Sequence, residues 1–95
     1  MMTIKYRPAP EQDLIWHPLD SMTLLFHRPS GITHMLAEPA PAILQVMADA
    51  PLPAAEIAVR LTSAFDIDPD LETETIVQAR LAELFDLGLV DRVPG

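Results

Sequence analysis

Ten prolines restrict the fold of this 95-residue chain more than any other feature of its sequence. Proline fits the first turn of a helix, where N–H groups lack intrahelical partners, but it is excluded from the helix interior. Five prolines therefore predict where three helices are separated and begin: Pro39 and Pro41 open the first, Pro51 and Pro53 precede the second, and Pro69 precedes the third. We expect the chain before Pro39 to be extended and the chain after it to be helical.

Three short, apolar and β-prone runs precede the first helix: Leu14–Leu19, Met22–His27 and Ile32–Leu36. Asp20-Ser21 separates the first two and suits a two-residue hairpin turn, and the turn residues Arg28-Pro29-Ser30-Gly31 separate the second run from the third. The sequence therefore predicts a three-stranded antiparallel meander with the middle strand in the centre.

The two edges of this predicted sheet differ in their protection against a further strand. Pro18 cannot donate a ladder hydrogen bond, which assigns the first strand to one edge. The third strand, Ile32–Leu36, is then the other edge, and it has no Pro, no Lys and no inward charge. Such an edge is either covered by another segment, for which the apolar tail Leu89–Val93 is a candidate, or free for a partner.

Hydrophobic periodicity predicts a core-facing side on each helix. We expect the second helix at about Ala54–Phe65, with Glu56 and Arg60 as an i, i+4 ion pair on its solvent side. The third helix, about Leu71–Leu87, should stop at Gly88, which suits the left-handed C′ position. The predicted core combines residues of the sheet with residues of the three helices: Trp16, Leu24, Phe26, Ile43, Leu44, Val46, Met47, Ala50, Ile57, Ala58, Leu61, Phe65, Val77, Leu81, Leu84 and Phe85.

A second, narrower apolar stripe lies on the flank of the third helix. At 100° per residue, Ile76 and Leu87 fall together with Arg80 and Glu83, away from the core face. This flank either packs on the N-terminal segment or on the sheet, or it contacts a ligand.

Length and periodicity predict a single domain over residues 14–95. A chain of this size has one modest core, for which 49% of its residues are hydrophobic. Residues 1–13 contain two prolines and no clear periodicity, so we expect a flexible, loosely docked lead-in without core residues. The start of the chain has no apolar signal-peptide region, and no run approaches the ~20 residues of a spanning helix, which predicts a cytoplasmic protein.

The charge of the chain argues against polyanionic partners. Fourteen acidic and six basic residues give a formal net charge of −8, which repels nucleic acid and anionic membranes. The third helix has Arg80 against four carboxylates, so it is unsuited to reading DNA. We therefore expect no nucleic-acid and no membrane partner.

Residues for catalysis are also scarce. The chain has no cysteine and only three glycines, which leaves no thiolate and no Gly-rich phosphate loop. His17, His27 and His34 lie one per predicted strand and could converge on zinc, but their spacing follows no compact metal motif. Surface positions or cross-strand packing are the expected roles, and Ser30 is expected to be a turn residue. We expect neither an enzyme nor a cofactor.

The predicted order is three strands followed by a three-helix unit that ends Leu84-x-x-x-Gly88-Leu89-Val90. This order is typical of a winged-helix domain. Together with Leu36-Ala-Glu-Pro-Ala-Pro-Ala-Ile-Leu44, and with Glu56-Ile57-Ala58 followed by Leu61, this order resembles the PqqD-like family. These are small peptide chaperones whose fold recurs as the RiPP recognition element. The turn and strand Ser30-Gly31-x-Thr33-His34-x-Leu36, with Trp16 upstream, more closely resemble the PqqD-like proteins that accompany an HPr-kinase-related protein in bacterial gene clusters.

The match covers about Leu14 to Val93 and departs from the family at Ala37, where PqqD-like sequences usually place a helix-capping Asn. The resemblance implies an α+β, winged-helix-like fold: a three-stranded antiparallel sheet followed by a three-helix bundle. It also implies a non-catalytic function, in which the leader of a precursor peptide adds as a strand to the third strand and lies in a groove beside the third helix. The residues carried over by position are the strand Ile32, Thr33, His34, Met35 and Leu36 and the helix flank Ile76, Arg80, Glu83 and Leu87.

The implied second partner is a peptide-modifying enzyme or an HPr-kinase-related protein from the same gene cluster. The alternative is a regulatory or scaffolding winged-helix module that binds a folded protein. The sequence leaves open whether the chain acts as a monomer or a homodimer.

Overall fold

The computed structural model describes residues 4–47, 51–65 and 71–94 and has an α+β fold. The predicted α+β class, with a three-stranded antiparallel sheet and three helices, is confirmed. The elements follow one another as β1 (Ile4–Pro8), a single 3₁₀ turn (Glu11–Asp13), β2 (Leu14–Pro18), β3 (Thr23–His27), β4 (Ile32–Leu36), α1 (Ala40–Val46), β5 (Leu52–Pro53), α2 (Ala54–Ala64), α3 (Leu71–Asp86) and β6 (Val90–Pro94).

The predicted meander is the sheet β2-β3-β4, which we call the meander sheet. Both of its pairings are antiparallel, and Trp16, Leu25 and His34 lie opposite one another across the three strands. As predicted, β3 is central, Pro18 lies on the edge strand β2, and β4 is the other edge.

Only part of the predicted inner face of this sheet is correct. Leu25 is fully buried, and Trp16 beside it packs against the core. Because side chains alternate along a strand, Leu24 and Phe26 lie on the opposite, outer face, where they are half-buried. The prediction that they contribute to the core is therefore wrong.

A second sheet, the terminal sheet, joins the two ends of the chain in the order β5-β1-β6. Five residue pairs connect β1 to β6, and Tyr6 of β1 packs against the core. The prediction of a loosely docked lead-in is wrong for Ile4–Pro8, which forms the central strand of this sheet. The predicted order of a sheet followed by helices is not found either, because β1 precedes the meander sheet, β5 lies between α1 and α2, and β6 follows α3.

The helices have the predicted core faces, with two exceptions. Phe65 is 47% exposed, because α2 ends at Ala64 and Phe65 no longer continues its apolar face. Phe85 is 36% exposed and lies under the guanidinium of Arg92, whose Cζ is 4.2 Å from the ring centroid. Ala50 and Pro69 lie outside the described residues. The other predicted helix residues are buried or pack against the core: Ile43, Leu44, Val46, Met47, Ile57, Ala58, Leu61, Val77, Leu81 and Leu84.

The turn after α3 connects this helix to the terminal sheet. Gly88 has φ +79°, and its N–H donates to Phe85 while the Leu89 N–H donates to Leu84, the two hydrogen bonds of a Schellman motif. This turn buries Leu89 and Val90, from which β6 continues. The predicted stop at Gly88 is confirmed.

Two further local interactions concern α1 and α2. At the start of α1, Oε1 of Glu38 accepts the Ala42 N–H at 3.1 Å. On α2, Nε of Arg60 lies 3.9 Å from Oε1 of Glu56, as the spacing predicted.

Candidate functional site: the free edge of β4 and the groove beside α3

Hydrogen-bond directions in β3 can be assigned from the hairpin that precedes it. The Leu19 N–H donates to the Met22 carbonyl at 2.7 Å across the Asp20-Ser21 turn, so Met22 directs its backbone groups towards β2. Backbone N–H and C=O groups alternate in direction along an antiparallel strand. Thr23, Leu25 and His27 therefore direct theirs towards β4.

The outward groups of β4 follow from this assignment. The partners of Thr23, Leu25 and His27 are Leu36, His34 and Ile32, which use their backbone groups on β3. Thr33 and Met35 lie between these partners and direct their N–H and C=O groups away from the sheet. In the part of the chain that the structure describes, β4 pairs with β3 alone, so these groups form a free edge.

The apolar tail does not cover this edge. Val90–Pro94 pairs with β1 in the terminal sheet rather than with β4. The expectation that Leu89–Val93 could cover the edge is therefore wrong.

A groove of about 460 Å³ lies between the end of β4, the start of α1 and the last turns of α3. We call it the edge groove, and its lining residues are Met35, Leu36, Ala37, Glu38, Ala40, Arg80, Glu83, Leu84, Asp86 and Leu87. The predicted strand and the predicted helix flank thus meet at one surface.

Five of the nine predicted site residues line the edge groove: Met35, Leu36, Arg80, Glu83 and Leu87. The other four lie near it without lining it. Ile32, Thr33 and His34 belong to the same strand, and Ile76 is one helical turn before Arg80. Sequence reasoning missed the remaining lining residues, of which Ala37 and Glu38 could have been found because they directly follow the strand.

Exposed apolar side chains border the groove. Met35 is 65% exposed, and Leu87 and Ile76 on α3 are 43% and 48% exposed. Neither α3 residue is buried, so part of each side chain remains accessible to a ligand. A ligand in the groove would have apolar surface to cover.

The charges of the edge groove are mostly negative. Its lining contains the carboxylates of Glu38, Glu83 and Asp86 and the guanidinium of Arg80. Nη1 of Arg80 lies 3.3 Å from Oε2 of Glu83, and the buried Nε of Arg80 has no hydrogen-bond partner among the described residues. Arg80 is therefore partly neutralised by its neighbour on the same helix.

The turn before β4 is held by local hydrogen bonds. Oγ of Ser30 lies 2.8 Å from Nδ1 of His27, donates to the His27 carbonyl at 3.3 Å and accepts the Ile32 N–H at 3.3 Å. Gly31 has φ +71°, a conformation that favours glycine. Ser30 thus has the predicted turn role, and these contacts fix the start of the edge strand.

The three histidines do not converge. Strand alternation puts His17 on the outer face of the meander sheet and His27 and His34 on the inner face. Among the described residues, no three His, Asp or Glu side chains are close enough together to hold a metal ion.

The outer face of the meander sheet is a second exposed surface. Ile15 is 51% exposed there, beside the half-buried Leu24 and Phe26, and Met35 continues the face to the β4 edge. The face contains no formally charged side chain in its three strands.

A second cavity, of about 330 Å³, lies at the other edge of the meander sheet. Its lining residues are Pro8, Ala9, Glu11, Leu14, Trp16, Leu44 and Gln45. Among the described residues that line it, Glu11 has the one titratable side chain, and Gln45 and Trp16 add an amide and an indole N–H.

In comparisons with known proteins, no family model, no curated protein and no solved structure matches this chain. No helix in the described ranges has the length and apolar character required to cross a bilayer.

Proposed function

We propose that the protein is a non-catalytic, PqqD-like peptide-binding module that recognises the leader of a precursor peptide and presents it to a modifying enzyme. In this proposal, the leader adds as a strand to β4, and the winged-helix-like unit of the meander sheet and helices forms its binding site. The observation that carries the proposal is the free edge at Thr33 and Met35, which lies directly beside the edge groove.

Strand addition at this edge divides recognition into two parts. The outward N–H and C=O groups of Thr33 and Met35 can pair with the main chain of any extended peptide, which gives affinity. Alternate side chains of the added strand then point to the α3 side, where the edge groove can select among them. Because β4 has five residues, the paired part of the leader would be about five residues long.

The partner that acts on the leader would be a peptide-modifying enzyme or an HPr-kinase-related protein encoded beside this chain. A short precursor reading frame next to such an enzyme in the genome would support this assignment. A neighbourhood containing only transcription or assembly genes would argue against it.

The proposal can be tested with random 12-residue peptides displayed on phage and selected on the folded protein. An enriched peptide is synthesised and titrated into ¹⁵N-labelled protein, with a scrambled peptide as the control. We expect the largest chemical-shift changes in Ile32–Leu36 and in the last turns of α3. Changes confined to the terminal sheet, or equal changes with the scrambled peptide, would contradict strand addition.

A second function is a scaffolding module that binds a folded protein through the outer face of the meander sheet. The exposed Ile15 and the uncharged character of that face favour it. Shift changes centred on Ile15, Leu24 and Phe26, with β4 amides unaffected, would indicate this function instead.

A further inference from the structure

We infer that the leader side chains entering the edge groove are cationic, so that the binding partner is a Lys- or Arg-containing extended peptide. The inference rests on the proposed function, since it assigns the ligand class of the same edge. It combines two independent observations: a free main-chain edge that accepts a peptide strand, and a groove beside it whose charge selects that strand.

The carboxylates occur on both walls of the edge groove. Glu38 directly follows β4 on one wall, and Glu83 and Asp86 lie on α3 on the other. Arg80 is the cation among the described lining residues, and its guanidinium is bound to Glu83 at 3.3 Å. Oε1 of Glu38 also accepts the Ala42 N–H at 3.1 Å. With three carboxylates and one guanidinium, a strand added to β4 extends along a lining whose net formal charge is −2.

The floor between these carboxylates is apolar, with Leu36, Ala40 and Leu84 buried at the groove. Lys and Arg suit such a site because their aliphatic stems cover apolar surface while the charged end reaches a carboxylate or water. Successive groove-facing side chains of an extended peptide are two residues, or about 6.5–7 Å, apart. We therefore expect a basic residue to alternate with an apolar residue at groove-facing positions.

An acidic leader is disfavoured at the same place. Its carboxylate would face Glu38 and Asp86, and like charges at close range repel. The formal charge of −8 also attracts cationic peptides from a distance, without regard to the groove. The experiment must therefore separate a local preference from the field of the whole protein.

The test uses the 12-residue phage-displayed library selected on the wild-type protein. We expect enrichment of Lys or Arg two residues away from an apolar residue, and depletion of Asp and Glu at the same positions as the basic residues. A synthetic copy of an enriched peptide is compared with copies in which each basic residue is replaced by Gln or by Glu. Fluorescence anisotropy gives the Kd values at 50 mM and at 300 mM NaCl. These concentrations lie below and above 0.1 M salt, at which the Debye length is ~10 Å.

Paired variants separate the groove from the overall charge. Glu38→Gln with Asp86→Asn removes two groove carboxylates, whereas Asp20→Asn with Glu74→Gln removes two exposed carboxylates outside the edge groove. An exposed ion pair contributes about 0.2–1 kcal/mol. The groove pair of substitutions should therefore raise the Kd for the basic peptide about two- to thirtyfold. The control pair should change its Kd less than about twofold.

A third variant tests the sign of the effect. Arg80→Gln releases Glu83 from its ion pair and makes the edge groove more negative. The affinity for the basic peptide should then rise about two- to fivefold. A fall in that affinity would overturn the inference, because it would mean that Arg80 itself holds the peptide.

The outcomes distinguish this inference from the proposed function. The enriched peptides could be neutral or acidic and still fail to bind the Thr33→Pro variant of the protein. This result would overturn the cationic assignment and leave strand addition intact. Equal effects of the groove pair and the control pair also overturn it. If no enriched peptide is sensitive to Thr33→Pro, the proposed function fails, and the assignment of the ligand fails with it.

Discussion

Thr33→Pro removes one outward N–H from the free edge of β4 and leaves the ladder with β3 intact. Thr33 directs its N–H away from β3, and proline is tolerated at such edge positions. Its predecessor Ile32 lies in the strand, the conformation that a residue before proline prefers. The free energy of unfolding should therefore change by less than about 1 kcal/mol.

The effect on peptide binding should be much larger. In the proposed complex, the Thr33 N–H donates to a carbonyl of the added strand, and without it this carbonyl is left unpaired between the strand and α3. An unsatisfied group costs about 1–3 kcal/mol, which corresponds to a roughly five- to 150-fold increase in Kd. Fluorescence anisotropy with a selected 12-residue peptide measures this change.

Thr33→Ala is the matched control, because it keeps the N–H and removes a side chain that points to the outer face. It should change the Kd less than about threefold. Equal affinities of the Pro and Ala variants, with urea unfolding unchanged in both, would refute the reasoning that β4 receives the peptide.

Three further predictions concern the groove, the core and the terminal sheet. Leu87→Ala should weaken peptide binding by about 1 kcal/mol through lost apolar contact. Because Leu87 is 43% exposed, the free energy of unfolding in urea should not change, and an unaltered Kd would show that Leu87 is not part of the site. Leu25→Ala should lower the free energy of unfolding by about 2–5 kcal/mol, whereas Leu24→Ala should lower it by less than about 1.5 kcal/mol; the reverse order would contradict the assigned faces. Deletion of residues 1–8 should lower the free energy of unfolding in urea by at least about 2 kcal/mol, because it removes the central strand of the terminal sheet. An unchanged free energy of unfolding would contradict the presence of that sheet.

Local signals explain what the sequence predicted correctly. The meander required only three apolar runs and two turns, and Pro18 was sufficient to identify an edge. The helix boundaries followed from prolines and from Gly88, whose left-handed conformation is a local property. Each of these features is encoded within a few residues of the place where it acts.

The inner face of β3 could not be assigned from its sequence. Thr23 and His27, the polar residues of β3, share a face with Leu25, so alternation favours the face of Leu24 and Phe26 as the inner one. The pairing of Leu25 with Trp16 decides the face, and it depends on register across the hairpin.

The terminal sheet was missed for a different reason. Ile4–Pro8 contains two basic residues and a proline, and its partner Val90–Pro94 lies at the opposite end of the chain. Neither strand has a turn signal that connects it to the other. Long-range pairing of this kind depends on the packed core, in which Tyr6 and Val90 take part.

The candidate site was partly predictable because its two walls have separate local signatures. An unprotected edge strand and an exposed apolar flank on α3 are both visible in the sequence. Glu38 was missed although it directly follows β4, whereas Asp86 was missed because its place in the groove depends on how the end of β4 approaches the end of α3. Of the three groove carboxylates, the sequence therefore identified only Glu83.

Amide hydrogen exchange of β4, followed by NMR, tests the central claim most directly. Without peptide, the Thr33 and Met35 amides should exchange rapidly, while those of His34 and Leu36, which bond to β3, should be protected. A selected 12-residue peptide should slow exchange at Thr33 and Met35 in particular. If both amides are already protected in the free protein, or if no peptide that binds changes their exchange, the free edge is not the binding site.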